Sequence, residues 1–324
     1  MTGTSRVLLF SDPAMAGHRP PGHPERPERV DAVVSGVTDA AASSGASLEQ
    51  PRVEPADPDA LERVHPAPYL ALLDDAAEKG GGWIDGDTFL GPESMVAARL
   101  AAGATLQAAL AVSGREAEVA FAAVRPPGHH ARRERAAGFC LLNNVAVATL
   151  ALRDAGRAQR VAILDWDVHH GDGTQSIFDA DSDLCYASTH QMPFYPGSGD
   201  ASERGVGPGR GSKHNAPLPA GSGDAAFTAA WLTRLLPAVQ EFGPQAILVS
   251  AGYDAHRMDP LAGLEVTEAG YREVAEAVAR LARGAGLGGV ALTLEGGYDL
   301  DALRGSAAAT VAGLLAGLSG SEAG

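Results

Sequence analysis

The sequence predicts an α/β fold in which helices cover both faces of a mainly parallel central sheet. Short apolar runs with strand character alternate along the chain with longer stretches rich in Ala and Leu, and this alternation is typical of parallel sheets. The chain has 324 residues, of which 45% are hydrophobic, enough to bury one large core. Because no break in composition divides the chain and no internal repeat occurs, a single domain is expected.

Six runs have the length and residue types of buried strands, since they are short, apolar and rich in Val, Ile, Leu or Phe. The predicted strands cover residues 6–10, 117–124, 161–164, 184–188, 246–250 and 289–294. Four longer stretches have helical character, and they cover residues 94–113, 143–155, 225–242 and 267–285. Ser94 is a candidate N-cap, and Gly156 is a candidate helix stop.

Two long segments have no regular pattern and are rich in Gly, Pro, His and charged residues. They cover residues 11–29 and 189–223, and loops of this length in a compact domain usually form functional rims. The residues from 319 to the end are expected to form a flexible tail. The predicted domain therefore covers residues 1–318.

Composition and charge exclude several classes of partner. The chain has 25 basic and 40 acidic residues and a net charge of -15, which disfavours binding to nucleic acid or to an anionic membrane. The same charge gives a weak preference for cationic substrates such as amines. Two cysteines, Cys140 and Cys185, indicate neither a disulfide framework nor a zinc knuckle. No signal segment or long apolar run is present, so a cytoplasmic location is expected.

Polar residues follow four of the predicted strands directly. Because the carboxyl ends of parallel strands meet at one edge of a sheet, these residues are expected to lie close together. The four segments are RPPGHH at 125–130, DWDVHHGDG at 165–173, AGYD at 251–254 and EGGY at 295–298.

Three of these residues make a plausible set of metal ligands. Asp167 and His169 are two positions apart, so in an extended segment both side chains project to the same side. Asp254 follows another strand, where a helix cap or a turn is the structural alternative. Together the three would hold a divalent ion and leave a position open for water and substrate. A set of two Asp and one His suits Zn²⁺ but also Fe²⁺ or Co²⁺.

The adjacent pair His129 and His130 could supply a general base, because a neutral imidazole accepts a proton from water and can return it to an amine. Asp165 and Asp172 are candidate acidic partners that would orient the two rings. A solvated turn is the alternative for two neighbouring histidines. Tyr298 follows two glycines, and its hydroxyl could stabilise the oxyanion of a tetrahedral intermediate.

Taken in order, these motifs resemble the histone deacetylase superfamily, in particular its bacterial class II-like amidohydrolase branch, which is related to acetylpolyamine amidohydrolases. The similarity covers about residues 5 to 315. Further matching segments are HPERPER at 23–29, GFCLLNN at 138–144, THQMPFYPG at 189–197 and DPL at 259–261.

The resemblance implies an arginase-deacetylase fold and a zinc-dependent hydrolase that removes an acyl group, expected to be acetyl, from a lysine-like or other aliphatic primary amine. It assigns zinc to Asp167, His169 and Asp254, general base and acid catalysis to His130, and polarisation of the acyl carbonyl to Tyr298. It gives His129 an electrostatic role in catalysis, and it pairs His129 with Asp165 and His130 with Asp172.

The resemblance also implies the surroundings of this site. Arg29 matches a family arginine behind the metal, where the acyl product would leave. Tyr195 stands where many relatives have Phe. The implied tunnel residues are Gly138, Phe139 and Tyr195, the implied rim residues are Asp87 and Thr88, and the implied potassium ligands are Asp165, Asp167, His169, Ser188 and Thr189.

Three alternatives to a lysine-type deacetylase differ in substrate or in chemistry. An acetylpolyamine amidohydrolase is disfavoured by Leu261, because some polyamine-selective relatives carry Glu there. An arginase-like hydrolase with two manganese ions would need further bridging carboxylates. A catalytically silent acyl-binding protein would have lost a ligand or Tyr298, and neither is missing. The sequence leaves open whether the chain forms a homo-oligomer.

Overall fold

The computed structural model describes residues 4–320, and a parallel sheet forms its centre. In chain order the strands are β1 (Arg6–Phe10), β2 (Ser47–Glu49), β3 (Gly82–Trp83), β4 (Phe89–Leu90), β5 (Val119–Ala122), β6 (Val161–Asp165), β7 (Leu184–Gln191), β8 (Lys213–Leu218), β9 (Ala246–Ala251) and β10 (Val290–Leu294). Eight of them form one sheet in the order β2-β1-β5-β10-β9-β6-β7-β8. All neighbours in this sheet are parallel, whereas β3 and β4 form a separate antiparallel pair.

Helices connect the strands. They are α1 (Glu28–Ser43), α2 (Pro58–Glu62), α3 (Ala67–Glu78), α4 (Ser94–Ser113), α5 (Asn144–Asp154), α6 (Asp172–Phe178), α7 (Asp224–Ala230), α8 (Leu236–Phe242), α9 (Glu268–Gly284) and α10 (Leu300–Ser319). A π-helical turn over Trp231–Leu235 joins α7 to α8. The helices that connect parallel strands return the chain across the sheet, so all eight carboxyl ends point to the same edge.

Two apolar cores lie on opposite faces of the sheet. In β1, Val7 and Leu9 face one core with α1, α9 and α10, whereas Leu8 and Phe10 face the other core with α3, α4 and α5. This alternation follows from the two-residue period of a strand. Each fully buried Val, Leu or Phe contributes about 1.5–3 kcal/mol to stability, so both faces must be covered. The predicted α/β fold with helices on both faces is therefore confirmed.

Each of the six predicted strands and four predicted helices has a counterpart in the structure, with two differences in detail. The segment 225–242 contains a π-helical turn, so it is not one regular helix. Ser94 is the first residue of α4 and not its N-cap. Its hydroxyl accepts a hydrogen bond from Gly91 N at 2.7 Å and contacts His18 Nδ1 at 2.7 Å. Gly156, with φ +64°, follows the end of α5 as predicted.

The prediction of long irregular loops was wrong in part. Segment 11–29 contains a short 3₁₀ helix, Pro13–Gly17, and the start of α1. Segment 189–223 contains the end of β7 and all of β8. The sequence of β8, KHNAPL, has little apolar alternation because β8 is an edge strand with polar interior contacts. Of the predicted tail, residue 319 ends α10, and residues 321–324 lie outside the described residues.

Two helices, α4 and α10, are long and apolar enough to cross a membrane by length and composition alone. Most of each is covered by protein, since 72% of the apolar window in α4 and 56% of that in α10 is buried. Both helices contribute side chains to the cores described above. Their apolar character is accounted for by this packing.

Candidate active site

Three candidate metal ligands meet at the carboxyl edge of the sheet. Asp167 and His169 lie in the loop after β6, and Asp254 lies in the loop after β9. β6 and β9 are adjacent strands, paired up to Asp165 and Ser250, so the two loops leave the sheet side by side. One ligand atom from each of the three residues lies within 4.8 Å of the others. Parallel pairing thus brings together residues that are 85 positions apart, from 169 to 254.

The contacts among these three residues fit a divalent cation. His169 Nδ1 lies 3.0 Å from Asp167 Oδ1 and 3.2 Å from Asp254 Oδ2. Asp254 Oδ2 is buried, and its contact with His169 Nδ1 lacks the geometry of a hydrogen bond, so among the described residues this oxygen has no hydrogen-bond partner, which is costly for a carboxylate. Burial and the charge of Asp167 raise the pKa of Asp254. A positive ion between the two carboxylates removes both costs, and His nitrogen and Asp oxygen are both zinc ligands.

Backbone groups hold the two carboxylates in place. Asp167 Oδ2 accepts a hydrogen bond from Gly296 N at 2.7 Å, and Asp254 Oδ1 accepts one from Val168 N at 2.8 Å. A Cβ atom at Gly296 would collide with the side chains of both acids. The glycine therefore lets the loop after β10 approach the ligand cluster closely.

Each of the two adjacent histidines has its own acidic partner. His129 Nδ1 donates to Asp165 Oδ2 at 3.1 Å, and His130 Nδ1 donates to Asp172 Oδ1 at 2.8 Å. Asp165 ends β6 and Asp172 begins α6, so regular elements fix both carboxylates. These bonds leave Nε2 of each ring available to a substrate or to water.

The electrostatic surroundings make His130 a neutral base. Burial and the nearby His129 lower the pKa of His130 to about 3, although Asp172 opposes this shift. Burial also acts on His129, but the charges of Asp167 and Asp165 outweigh it and raise the pKa of His129. At neutral pH, His130 is therefore uncharged and one ring nitrogen keeps a free lone pair, whereas His129 favours the charged form.

Tyr298 enters the site from the loop after β10. Its backbone N donates to Asp259 Oδ2 at 2.6 Å, and the guanidinium carbon of Arg29 lies 4.8 Å from the centre of its ring. Burial raises the pKa of Tyr298, so the phenol stays protonated and can donate a hydrogen bond.

His129, His130, His169 and Tyr298 line one cavity of about 260 Å³. Gly138 has φ +54°, and a Cβ atom at this position would collide with the His130 ring. Phe139 has φ +68°, an unusual value for a residue with a side chain, and its ring meets that of Tyr298 at a centroid distance of 5.8 Å. The lining residues are Asp87, Pro127, His129, His130, Gly138, Phe139, His169, Tyr195, Leu261, Gly296 and Tyr298.

Most of the other predicted site residues lie at or near this cavity. Thr88 was expected at the rim together with Asp87, but its position differs from this prediction. Thr88 is fully buried and is not one of the lining residues. Its hydroxyl accepts a hydrogen bond from Phe139 N at 3.2 Å, so Thr88 supports a residue of the cavity wall. The preceding residue, Asp87, lines the cavity instead.

Arg29, Ser188 and Thr189 lie away from the cavity lining. Arg29 is fully buried and donates to Gly297 O at 2.5 Å and to Glu25 Oε1 at 3.2 Å. Ser188 is paired with Asp165 across β6 and β7. The Thr189 hydroxyl accepts a hydrogen bond from Trp231 Nε1 at 3.1 Å.

Four supporting residues were not assigned a role from sequence. Glu295 Oε2 accepts hydrogen bonds from Gly128 N at 2.6 Å and His129 N at 3.1 Å, which holds the histidine loop against β10. Glu295 could have been found because, like Asp165, it is an acid that directly follows an apolar strand. The other three hold groups of the site in place: Tyr186 donates to Asp165 Oδ2 at 2.9 Å, Arg132 donates to Asp172 Oδ2 at 2.7 and 3.0 Å, and Asp259 accepts from Tyr298 N.

Comparison with known proteins agrees with the fold. The histone deacetylase domain family matches residues 23–314. A histone deacetylase-like amidohydrolase from Pseudomonas aeruginosa is 39% identical over 290 residues, which cover 89% of this chain and 74% of that protein.

Two solved structures have the same architecture. A crystal structure of the HDA15 HD domain superposes with a TM-score of 0.89 at 37% identity, covering 97% of this chain and 89% of that one. A crystal structure of an acetylpolyamine aminohydrolase from Burkholderia pseudomallei gives a TM-score of 0.84 at 31% identity, covering 95% and 98%. The family match spans most of the chain, and the arginase-deacetylase fold expected from sequence is confirmed: this chain belongs to the histone deacetylase family.

Proposed function

We propose that this protein is a metal-dependent amide hydrolase that removes an acyl group, mainly acetyl, from a lysine-like or other aliphatic primary amine. The observation that carries this proposal is the arrangement around one cavity: His169 of the ligand cluster, the neutral base His130 and the protonated Tyr298 all line it. Such a set is what hydrolysis of an amide needs, namely a cation, a base and an oxyanion donor.

Zinc is the ion we propose for Asp167, His169 and Asp254, and Fe²⁺ or Co²⁺ would suit the same donors. A divalent ion bound there would act as a Lewis acid, making water a better nucleophile and the acyl carbonyl a better electrophile. The described residues 4–320 contain one group of three candidate ligands, which favours a single ion over an arginase-like pair.

The proton transfers are assigned to His130. Its Nε2 accepts a proton from the water that attacks the acyl carbon, and Asp172, 2.8 Å from Nδ1, stabilises the resulting imidazolium. When the C–N bond of the tetrahedral intermediate breaks, the same nitrogen gives that proton to the leaving amine. The products are a carboxylic acid and a free amine, which become a carboxylate and an ammonium once the acid's proton passes to the amine, and the base returns to its neutral form.

Tyr298 and His129 stabilise the negative charge that develops on the acyl oxygen. The Tyr298 hydroxyl donates a hydrogen bond to this oxygen, and the buried site strengthens that interaction because little water competes. His129, held by Asp165 at 3.1 Å, adds positive charge nearby. Arg29 lies behind Tyr298, and we propose that it faces the path of the acyl product.

A potassium ion is proposed at the side of the ligand cluster away from substrate. Asp165, Asp167, His169, Ser188 and Thr189 would supply its oxygens, in part through backbone carbonyls. Its positive charge would stabilise the ionised form of the adjacent carboxylates. The location proposed for the protein is the cytoplasm, with an acylated amine as its substrate and neither nucleic acid nor membrane as a partner.

The substrate class is proposed from the cavity wall. Gly138, Phe139, Tyr195 and Leu261 would enclose an aliphatic chain, and Asp87 at the rim would accept hydrogen bonds from groups flanking it. Leu261 offers no charge to a distal ammonium, which favours acyl-lysine over polyamines. Hydrolysis of acetylpolyamines is the second candidate function, because an acetylpolyamine aminohydrolase has the same fold at 31% identity.

A substrate panel distinguishes the two candidates. We expect kcat/KM for an acetyl-lysine peptide to exceed that for acetylputrescine or acetylspermidine by about tenfold. The distal ammonium of an acetylpolyamine would find no charged partner at Leu261, and one contact with a buried charge is worth about 1.4 kcal/mol or more. The assay measures amine release by the metal-loaded protein at equal ionic strength. Faster turnover of the acetylpolyamines would assign the protein to the second candidate.

A further inference from the structure

A second cavity, larger than that of the candidate active site, lies at the opposite edge of the sheet. It is a groove of about 970 Å³, whereas the candidate active site has about 260 Å³. Arg160 and Gln245 line this groove and directly precede β6 and β9. The candidate metal ligands follow the same two strands. Strands of five and six residues span roughly 17–20 Å, so the two cavities are separate sites.

The groove lies between α8 and α9, which cover the same face of the sheet. On α9, Ala277, Leu281 and Gly284 line it at spacings of four and three residues, so they share one side of the helix. A Cβ atom at Gly284 would reach no other described segment within 4 Å. Because Ala277 and Gly284 have little or no side chain, α9 leaves open the space beside Leu236 of α8. This space is the α8–α9 groove.

Leucine side chains form an apolar floor in the α8–α9 groove. Leu232 belongs to the π-helical turn before α8, and it is 36% exposed. Leu236 follows it four residues later on the same side of the helix, and Leu281 and Leu287 are half-buried across the groove. π-helical turns occur frequently at functional sites. An apolar ligand that covered these side chains would gain about 25 cal/mol for each Å² removed from water.

Arginine side chains supply the charges of the groove. Arg157, Arg160 and Arg280 line it, and none of the described residues around it is acidic, although the chain as a whole has a net charge of -15. Arg280 pairs with Glu276 at 2.5 Å. Within residues 4–320, Arg157 and Arg160 form no ion pair, and Arg160 Nε donates to Gly243 O at 3.0 Å. Two guanidinium groups therefore remain available to an anion, which arginine binds through paired N–H donors.

We propose that the α8–α9 groove binds an amphiphilic anion, a small molecule with an apolar chain or ring and a carboxylate or phosphate group. The apolar part would cover Leu232, Leu236 and Leu281, and the anionic group would accept hydrogen bonds from Arg157 and Arg160. The volume of the groove lies within the range of about 300–1,000 Å³ that is usual for small-molecule sites. This ligand is not the substrate of the proposed reaction, because the groove lies at the other edge of the sheet.

Isothermal titration calorimetry tests the site with decanoate, which has a linear apolar chain and one carboxylate. Below its micelle concentration, we expect one equivalent to bind per chain of the wild-type protein. Decyltrimethylammonium and 1-decanol should bind at least about tenfold more weakly, because hydrogen bonds to charged groups contribute about 1.5–3 kcal/mol. Decyl phosphate, titrated in parallel, shows whether the arginines prefer phosphate to carboxylate.

Two variants locate the bound decanoate. Arg157→Gln combined with Arg160→Gln removes the two free charges, and Leu232→Asp places a carboxylate on the apolar floor. Each is expected to raise Kd by about tenfold or more. The matched control is Arg19→Gln combined with Arg26→Gln, two exposed arginines in a separate groove beside the active-site cavity, which should bind decanoate like the wild type. All five side chains are exposed, so these variants should keep the fold.

Three outcomes would contradict the proposal. The first is the absence of decanoate binding to the wild type, or an affinity that both groove variants leave unchanged. The second is equal binding of 1-decanol, since the arginines would then contribute nothing. The third is a dimer of the wild type that Leu232→Asp dissociates, because the groove would then hold a second copy of the chain. Calorimetry needs no catalytic activity, so its result is independent of whether the proposed function holds.

Kinetics with decanoate present separate the groove from the active site. We expect the control variant and the two groove variants to release acetate from an acetyl-lysine peptide at the rate of the wild type. If decanoate inhibited this release equally in all of them, with its affinity unchanged, it would bind in the active-site cavity and the groove would be excluded as its site.

Discussion

Replacing Asp254 by asparagine is expected to remove the bound divalent ion and to lower turnover of an acetylated amine by on the order of 10³- to 10⁴-fold. The size follows from the several kcal/mol that a Lewis acid contributes, at about 1.4 kcal/mol for each factor of ten in rate. Asn keeps the volume of the side chain and can still accept the hydrogen bond from Val168 N, now 2.8 Å from Asp254 Oδ1. It removes the negative charge that the ligand cluster needs.

Metal content by elemental analysis and steady-state kinetics check this prediction together. The control is Asp59→Asn, the same chemical change at an exposed position in α2, which should keep both metal and activity. An Asp254→Asn variant with one tightly held ion and turnover close to that of the wild type would remove Asp254 from the ligand set.

Replacing Tyr298 by phenylalanine should leave the metal content unchanged and reduce kcat by roughly 10²- to 10³-fold, the cost of losing one oxyanion donor. The ring and its contacts with Arg29 and Phe139 remain, so the cavity keeps its shape. KM should change little, because the lost hydrogen bond is stronger in the transition state than in the bound substrate.

Tyr195→Phe is the matched control for Tyr298→Phe, since it removes a hydroxyl from the same cavity without touching the proposed oxyanion donor. We expect a change of at most a few-fold in kcat, as one hydroxyl outside the reacting atoms is worth about 1 kcal/mol or less. If Tyr298→Phe kept full activity, or if both variants lost activity equally, the role assigned to Tyr298 would be wrong.

Much of the site could be predicted from sequence because its residues follow strands directly. Asp165, Asp167 and His169 come immediately after the apolar run of β6, and Asp254 after that of β9. In a parallel sheet, the position after a strand is sufficient to place a residue at the carboxyl edge. The helices predicted from sequence also lie where the Ala/Leu pattern put them, since each covers a buried face.

What sequence did not reveal depends on contacts between distant segments. Asp259 fixes Tyr298 across 39 positions, and nothing in its local sequence indicates that partner. Strand β8 has polar residues facing the interior, including Lys213 and Asn215, so a search for apolar alternation overlooks it. Thr88 was expected at the rim, but its side chain turns inward to Phe139 N. This orientation depends on how the cavity wall packs, which the local sequence does not indicate.

The central claim is that this chain hydrolyses an acyl amide with the help of one divalent ion held at Asp167, His169 and Asp254. The measurement that tests it most directly is acetate release from an acetyl-lysine peptide by the wild-type protein, before chelation, after chelation and after stepwise addition of Zn²⁺. We predict that chelation abolishes the release, and that it returns in proportion to added ion and saturates at one equivalent per chain. Undiminished acetate release from the metal-free protein, or saturation only at two equivalents, would contradict this account.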